Sequence, residues 1–579
     1  MGTVPLLDQD DLSRQVGDRN KRLALLAAIM GSFVAGLDAT AVNVALPAIR
    51  ADLGGGLAGQ QWVSNAYLLA LGSLILVGGS LGDVFGERRV FATGVAGFGL
   101  VSLLCAIAPS IGVLIVCRGL QGAFGALLTP SALAVIVSAF PRDERGAAIG
   151  SWTAWAGIAT VVGPLAGGYL VDADSWRLIF AVNVPFVLIT LLLVFVAVPA
   201  RPRGAAHPRV DWLGAALTFF GLAGPVLALI RQPVVGWASP QVWVPGLGGL
   251  LLLGIFLVHE RRTPAPMLPL GLFKRRNFAI GNVQTFAMYG GLGITFFLLV
   301  LFLQEVAGYR ALDAGFALLP STVVMFVLSK RMGRLADRFG PRLFMGLGPL
   351  TAAVGLALML RLGAHVNYLT ELLPALLTFS FGLASTVAPL TATVLSDADE
   401  SNAGIASGIN NAIARIASLL AIAAVGAVIS AQFTSTLDQR VSGIGLSPAA
   451  RAALVKARGQ TLARVDPSIV GPQVAHAVQS ASVHAFHVGI GISATLVALG
   501  GLLGLAGIRN PRRVVRSEDC AGGQIAGQPL DAGREQALSL LPSPGPRRWA
   551  GSPVEMAGGP GDREAAAPRP GSPAPPRER

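Results

Sequence analysis

Long apolar runs separated by short polar turns dominate this chain. They cover residues 23–46, 61–82, 90–108, 111–138, 147–170, 177–199, 212–231, 242–258, 278–303, 313–330, 343–361, 370–390, 405–430 and 484–507. A run of about 17–25 apolar residues is the length an α-helix needs to cross the hydrocarbon of a bilayer. The pattern therefore predicts an all-α integral membrane protein with fourteen crossing helices. A transmembrane barrel is excluded, because the runs are continuous rather than alternating and are far longer than a barrel strand.

Composition and charge sharpen this picture. Of 579 residues, 53% are hydrophobic and 13% charged, against about 25% charged in soluble domains. The 72 glycines suit helices that approach one another closely in lipid. A net charge of +13 raises the question of nucleic acid, but the basic residues sit in short loops and in the C-terminal tail. That is the positive-inside pattern, and it excludes a nucleic-acid partner. Lys21/Arg22, Arg88/Arg89, Arg142/Arg145, Arg201/Arg203/Arg209, Arg261/Arg262/Lys274/Arg275/Arg276 and Lys330/Arg331/Arg334/Arg338/Arg342 are expected on the cytoplasmic side. Both termini then face the cytoplasm, and the protein sits in the cell membrane as a multi-pass chain. Cys105, Cys117 and Cys520 are too few for a disulfide framework and read as free thiols.

The expected organisation is a cytoplasmic N-terminus (1–22), a first six-helix bundle (23–199), and two inserted helices with a cytoplasmic loop (200–277). A second six-helix bundle (278–508) follows, with an extracellular loop over 431–483. A short amphipathic helix is expected in that loop near Ser447–Val465. Residues 509–579, rich in Pro, Gly and Arg, are expected to be a disordered cytoplasmic tail, since they hold too little apolar surface to offset ordering.

The two-bundle division rests on a repeated loop. GSLGDVFGERRV (Gly79–Val90) follows the second span and GRLADRFGPRLF (Gly333–Phe344) follows the tenth. Aligned on Gly79 and Gly333, they share Asp83/Asp337 and Gly86/Gly340 and end in basic residues, Arg88 and Arg89 in the first copy, Arg342 in the second. Glycines permit the tight turn, and an aspartate can hold a neighbouring helix N-terminus or an arginine. Parallel repeats of this kind are typical of transporters with a substrate site between the halves.

These loops resemble the signature of the major facilitator superfamily. LDATAVNVALP (Leu37–Pro47), RGLQGAFGA (Arg118–Ala126), GIATVVGPLAGGYL (Gly157–Leu170) and WRLIFAVNVP (Trp176–Pro185) resemble motifs of its fourteen-helix drug:proton antiporter branch, the EmrB/QacA type. The resemblance runs from about Lys21 to Arg509 and implies the major facilitator fold, two six-helix bundles plus two inserted helices. Val84 departs from it, standing where the superfamily loop usually carries a basic residue, whereas Arg338 keeps that residue.

Two charges are set deep in apolar runs. A charge inside a membrane costs between ~2.5 and more than 10 kcal/mol, so each is a functional candidate with a partner to be named. Asp38 lies about two helical turns in from Pro47, and Arg118 about two turns in from Ser110, each roughly 12 Å below the outer boundary. Charges at matching depth can pair. Asp38 is expected to take up and release a proton, with Arg118 as its partner, and the resemblance implies the same role for both; the alternative is a permanent structural ion pair. Gly157, Gly163, Pro164, Gly167 and Gly168 bring small residues nearly onto one helix face, either as a packing groove or, as the resemblance implies, as an antiporter motif that limits leak. Gly79, Asp83, Gly86, Arg88, Arg89, Gly333, Asp337, Arg338, Gly340 and Arg342 are the candidate gating residues.

Substrate contacts are expected among Phe33, Trp62, Asn65, Tyr67, Gln121, Trp155, Gln284, Tyr289, Asn410, Asn411 and Arg415. Aromatic walls with one carboxylate suit amphipathic or cationic molecules. The chain has no phosphate-cradling GKT or GKS loop, no metal-spaced His/Cys cluster and no nucleophile elbow, so an ATPase or an enzyme is not expected. Protons, a small-molecule substrate and the lipid bilayer are the expected partners, the proton gradient the only energy source, no cofactor or metal is expected, and the chain is expected to be a monomer. The expected function is proton-coupled export of hydrophobic or cationic small molecules by alternating access. The rivals are a dedicated exporter of one endogenous metabolite (an antibiotic, sugar or lipid) and a non-transporting sensor or scaffold.

Overall fold

In lipid every backbone polar group must be bonded within its own segment, so apolar runs of this length fold as helices. A computed structural model describes residues 17–173, 175–198, 210–264, 266–396 and 403–510. Six long helices come first: α1 (Asp18–Leu53), α2 (Gly56–Phe85), α3 (Glu87–Ala106), α4 (Ile111–Ala139), α5 (Arg142–Ala173) and α6 (Leu178–Ala197). A hairpin follows, α7 (Trp212–Val235) and α8 (Pro240–Arg262). The second set is α9 (Arg276–Glu305), α10 (Ala311–Phe339), α11 (Pro341–Arg361), α12 (Tyr368–Leu395), α13 (Ala403–Val441) and α14 (Pro472–Gly507). Among the described residues thirteen of these are long and apolar enough to cross a membrane. The 32-residue α5 stands where the fifth span is expected.

Several helices overrun their apolar runs. α13 continues to Val441 and α14 starts at Pro472, so much of the expected 431–483 loop is helix. Buried Phe433, Leu437, Val474 and Val478 explain why: the two helices keep an apolar face on each other beyond the stretch that hydropathy alone marks. The loop between them carries a further helix, Pro448–Gln460, capped by the Ser447 hydroxyl and seated through Ala450, Leu454 and Ala457.

The same pairings recur in both halves. α1 packs on α5 and α6 as α9 packs on α13 and α14; α4 packs on α2 and α3 as α12 packs on α10 and α11; α3 meets α6 as α11 meets α14. Across the halves the contacts are also matched, α2 on α13 and α5 on α10. The α7–α8 hairpin stands outside this symmetry, with Leu222, Val226 and Ile230 of α7 packed on Leu69 of α2 and Leu419 and Ala423 of α13.

Two turns are built identically. Gly86 ends α2 and starts α3 at φ +88°, and Gly340 ends α10 and starts α11 at φ +90°. Only glycine takes that left-handed region without strain. Two residues on, Arg88 donates to the Phe195 carbonyl (2.9 Å) in the last turn of α6. Arg342 donates to the Leu505 carbonyl (2.6 Å) in the last turn of α14. Each loop arginine thus ties down the open carbonyls of the sixth helix of its own half.

Candidate functional site

Helix α1 carries Asp38 beside two close approaches of α5 at Thr40 and Ala41. At Gly163 of α5 a side chain would collide with the Thr40 hydroxyl, and at Gly167 a Cβ would stand 3.0 Å from Ala41. Small residues there let α5 lie against the turn of α1 that follows the carboxylate. Pro164 and Gly168 turn the other way: the Pro164 carbonyl would lie 2.5 Å from a Cβ at Gly315, and a Cβ at Gly168 would lie 2.6 Å from Leu312 Cα, both on α10. The small residues therefore serve two faces, one inside the first half and one across to the second, and not the single face that spacing predicts. Gly157 lies on α5 where its surroundings fall outside the described residues.

Asp38 and Arg118 meet. The Arg118 Nη1 donates to Asp38 Oδ2 at 2.5 Å, with the two side chains 2% and 0% exposed. Gln121 Nε2 and Asn183 Nδ2 both donate to Asp38 Oδ1, at 3.0 and 3.2 Å. Ser102 Oγ accepts from the same two amides at 2.8 and 3.4 Å. Arg118 also donates to Gln121 Oε1 (2.6 Å) and to the Val63 carbonyl (3.2 Å). Its guanidinium lies over the Tyr67 ring at 4.3 Å and near the Phe180 ring at 5.8 Å. Every contact to Asp38 is a donor, which suits an ionised carboxylate, and five helices contribute to a cluster with almost no solvent access. Cys105 contacts Gln121 from α3, and it and Cys117 are free thiols.

Several expected substrate contacts have other surroundings. Gln121 is fully buried beside Asp38, and Tyr67 is 3% exposed beneath Arg118, so both belong to the charge cluster. Being one turn from Arg118, Gln121 shares its helix face. Gln284, fully buried, donates to the Met345 carbonyl inside the second half. Asn410 donates to Asn282 (3.2 Å) and Thr285 (2.8 Å), and Asn411 to the Ser407 carbonyl (3.0 Å). Phe33 packs on Phe186 within the first half, and Trp62 packs with the α2–α7–α13 cluster. Trp155 is 47% exposed on α5. Asn65 is fully buried with neither amide atom bonded, on the face of α2 that carries Gln61 and Gly72 towards α13. Arg415 is exposed on α13, about three turns from its start, within electrostatic reach of Tyr67 and Tyr289.

At one end the halves are closed on each other. Arg50 of α1 bonds Glu305 of α9 at 2.5 Å, with both side chains under 15% exposed. Gln304 donates to the Val44 carbonyl (3.0 Å), and Gln61 to the Ile422 carbonyl (2.7 Å). Asp172 accepts from the Ala311 and Leu312 amides (3.3 and 3.0 Å), so α5 caps the N-terminus of α10 from the opposite half. Towards the Gly86/Gly340 end α10 is uncovered: Phe326, on the face that carries Gly315, is 60% exposed. Of the gating residues there, Arg89, Asp337 and Arg338 are exposed, Arg338 lying over Phe339, and the Asp83 side chain lies outside the described residues. Gly79 and Gly333 stand at equivalent places, against Pro130 of α4 and Ala388 of α12. Asn183, Ser102, Arg50, Glu305 and Asp172 were not singled out in the sequence. Asn183 stands in the quoted WRLIFAVNVP stretch; the others carry no local signal.

Comparison with known proteins assigns the class. The family model of the Major Facilitator Superfamily matches residues 28–422, and the chain belongs to this superfamily of membrane transporters. It is 35% identical over 448 residues to the multidrug resistance protein Stp of Mycobacterium tuberculosis, covering 76% of this chain and 81% of that one. It is 34% identical to the probable actinorhodin transporter of Streptomyces coelicolor (73% and 75% covered). It is also 34% identical to the tetracenomycin C resistance and export protein of Streptomyces glaucescens (70% and 76%). Among solved structures, an inward-facing bacterial homologue of the lysosomal transporter Spinster shares the fold at 16% identity, with TM-score 0.58 over 86% of this chain and all of that one.

Proposed function

We propose that the protein is a proton-coupled secondary exporter of hydrophobic or cationic small molecules, working by alternating access between its two six-helix halves. The observation that carries this reading is the sealed Asp38–Arg118 cluster, set in the half that closes against α9 and α10 at one end only. A proton can reach the carboxylate only when the pair opens, so protonation and rearrangement of the halves are one event. Protonated Asp38 would no longer hold Arg118, and the freed guanidinium would need a new partner or water. The proton gradient is the energy source, with no cofactor. The chain acts as a monomer in the cell membrane with both termini cytoplasmic, which makes the closed end the outer one and the described state open inward.

The relatives include both a multidrug resistance protein and exporters named for one compound, so a dedicated exporter of a single metabolite is the second reading. The test is Asp38→Asn in proteoliposomes with an imposed pH gradient. Proton-driven uptake is expected to fall by about 100-fold or more while downhill exchange survives. Unchanged accumulation in the variant would remove the coupling role.

A further inference from the structure

The cleft between the halves holds a cation that the Asp38 cluster does not use. Arg415 lies on α13 opposite Gly72 of α2, where an added Cβ would stand 3.2 Å from Arg415 Cβ. At 1.5 Å per residue Gly72 is about 20 Å from either end of α2, so Arg415 sits near the membrane midplane. The neighbouring Ile416, Leu419, Leu420 and Ala423 pack against α7. Arg415 instead lies within electrostatic reach of Tyr67 on α2 and Tyr289 on α9, one from each half. Its side chain is exposed and makes no hydrogen bond or ion pair among the described residues. Asp38 and Arg118 neutralise each other out of contact with solvent, so among the described residues Arg415 is a fixed charge near mid-height of the cleft that no neighbouring carboxylate offsets.

We infer that Arg415 docks the acidic group of an otherwise hydrophobic substrate, a carboxylate, enolate or phenolate, between Tyr67 and Tyr289. This rests on the exporter reading: it keeps the hydrophobic cargo of that reading and puts an acidic group where that reading allowed a cationic one. Arg415 is exposed with no protein anion bonded to it among the described residues, so its fork of N–H donors is free to take an anion, and an apolar body on that anion has the two tyrosine rings to pack on. A cationic cargo at the same place would add like charge to like. The Tyr67 ring also covers Arg118, so an anion on Arg415 lies one aromatic ring away from the proton-coupling pair.

The test uses the full chain and two dyes with one ring system, anionic fluorescein and a cationic rhodamine ester. Anisotropy binding to detergent-solubilised protein needs no transport and reads charge preference alone, whereas uptake driven by a pH gradient reads the exporter function. Arg415→Gln is expected to weaken fluorescein binding about tenfold or more, to leave rhodamine binding unchanged or stronger, and Arg415→Lys to restore part of the loss. Retained rhodamine binding and an unchanged elution profile show that the variant is folded. The inference is overturned if wild-type protein does not bind fluorescein, if Arg415→Gln weakens both dyes equally, or if it leaves fluorescein binding intact. Fluorescein binding that depends on Arg415 without gradient-driven uptake of either dye would sustain the docking site and count against the exporter reading instead.

Discussion

At the scale of single residues, the cluster around Asp38 combines two roles that substitution can separate. Removing one member of a buried ion pair leaves the other charge uncompensated, at a cost of about 3–5 kcal/mol, whereas removing both is often near neutral. Asp38→Asn should therefore lower the melting temperature measured in detergent, and Asp38→Asn combined with Arg118→Gln should recover most of it. Proton-driven uptake should stay lost in the double variant. Recovery of both stability and drive would make the pair structural and nothing more. Gln121 and Asn183 extend the same logic, because each gives an N–H to Asp38 Oδ1. Pairing of Asp38 with Arg118 was legible from matched depth along two apolar runs. The amides were not, because the direction a side chain points depends on how each helix is rotated in the bundle.

Helices of the two halves pack closely, α2 on α13 and α5 on α10, and at one end a few polar contacts add to that packing. The Arg50–Glu305 pair and the Asp172 cap on α10 stabilise closure there and are broken when that end opens. A cap contributes about 1 kcal/mol, and removing one partner of a largely buried pair costs a few kcal/mol, enough to shift a two-state population several-fold or more. Arg50→Gln is expected to increase the open population at this end. Spin labels on the exposed positions Ala51 and Asp313, on opposite halves, would report it as a longer-distance component. An unchanged distance distribution would show that glycine packing of α5 on α10 alone decides closure. The residues of the Arg50–Glu305 pair lie 255 positions apart, so no local pattern announced them. The loop arginines were legible as a repeat, but their use as caps on α6 and α14 needed the ends of those helices in place.

For the whole molecule, the charge of the cargo fixes how the membrane potential acts. Exchange of one proton inward for one cation outward moves no net charge. If an acidic cargo docks at Arg415, the same exchange carries two charges, worth about 4.6 kcal/mol at 100 mV. Potassium-diffusion potentials imposed on proteoliposomes should then accelerate fluorescein export strongly and leave rhodamine export nearly unaffected. Equal response of the two dyes would mean that cargo charge does not enter the transport cycle. The matched pairing of α1–α6 and α9–α14 gives this cycle its mechanical basis, two similar bodies that rock about a central site.

The sequence by itself determined membrane residence, the all-helical architecture, the twofold repeat and the matched positions of Asp38 and Arg118 along their apolar runs, because hydropathy, span length and turn glycines are local properties of the chain. Only the tertiary structure decided that Gln121 and Tyr67 face the charge cluster, that Gln284 is sealed inside the second half, and that Arg415 has no ion-pair partner among the described residues. Those outcomes depend on helix rotation and on which halves touch, and both are fixed by packing between segments hundreds of residues apart.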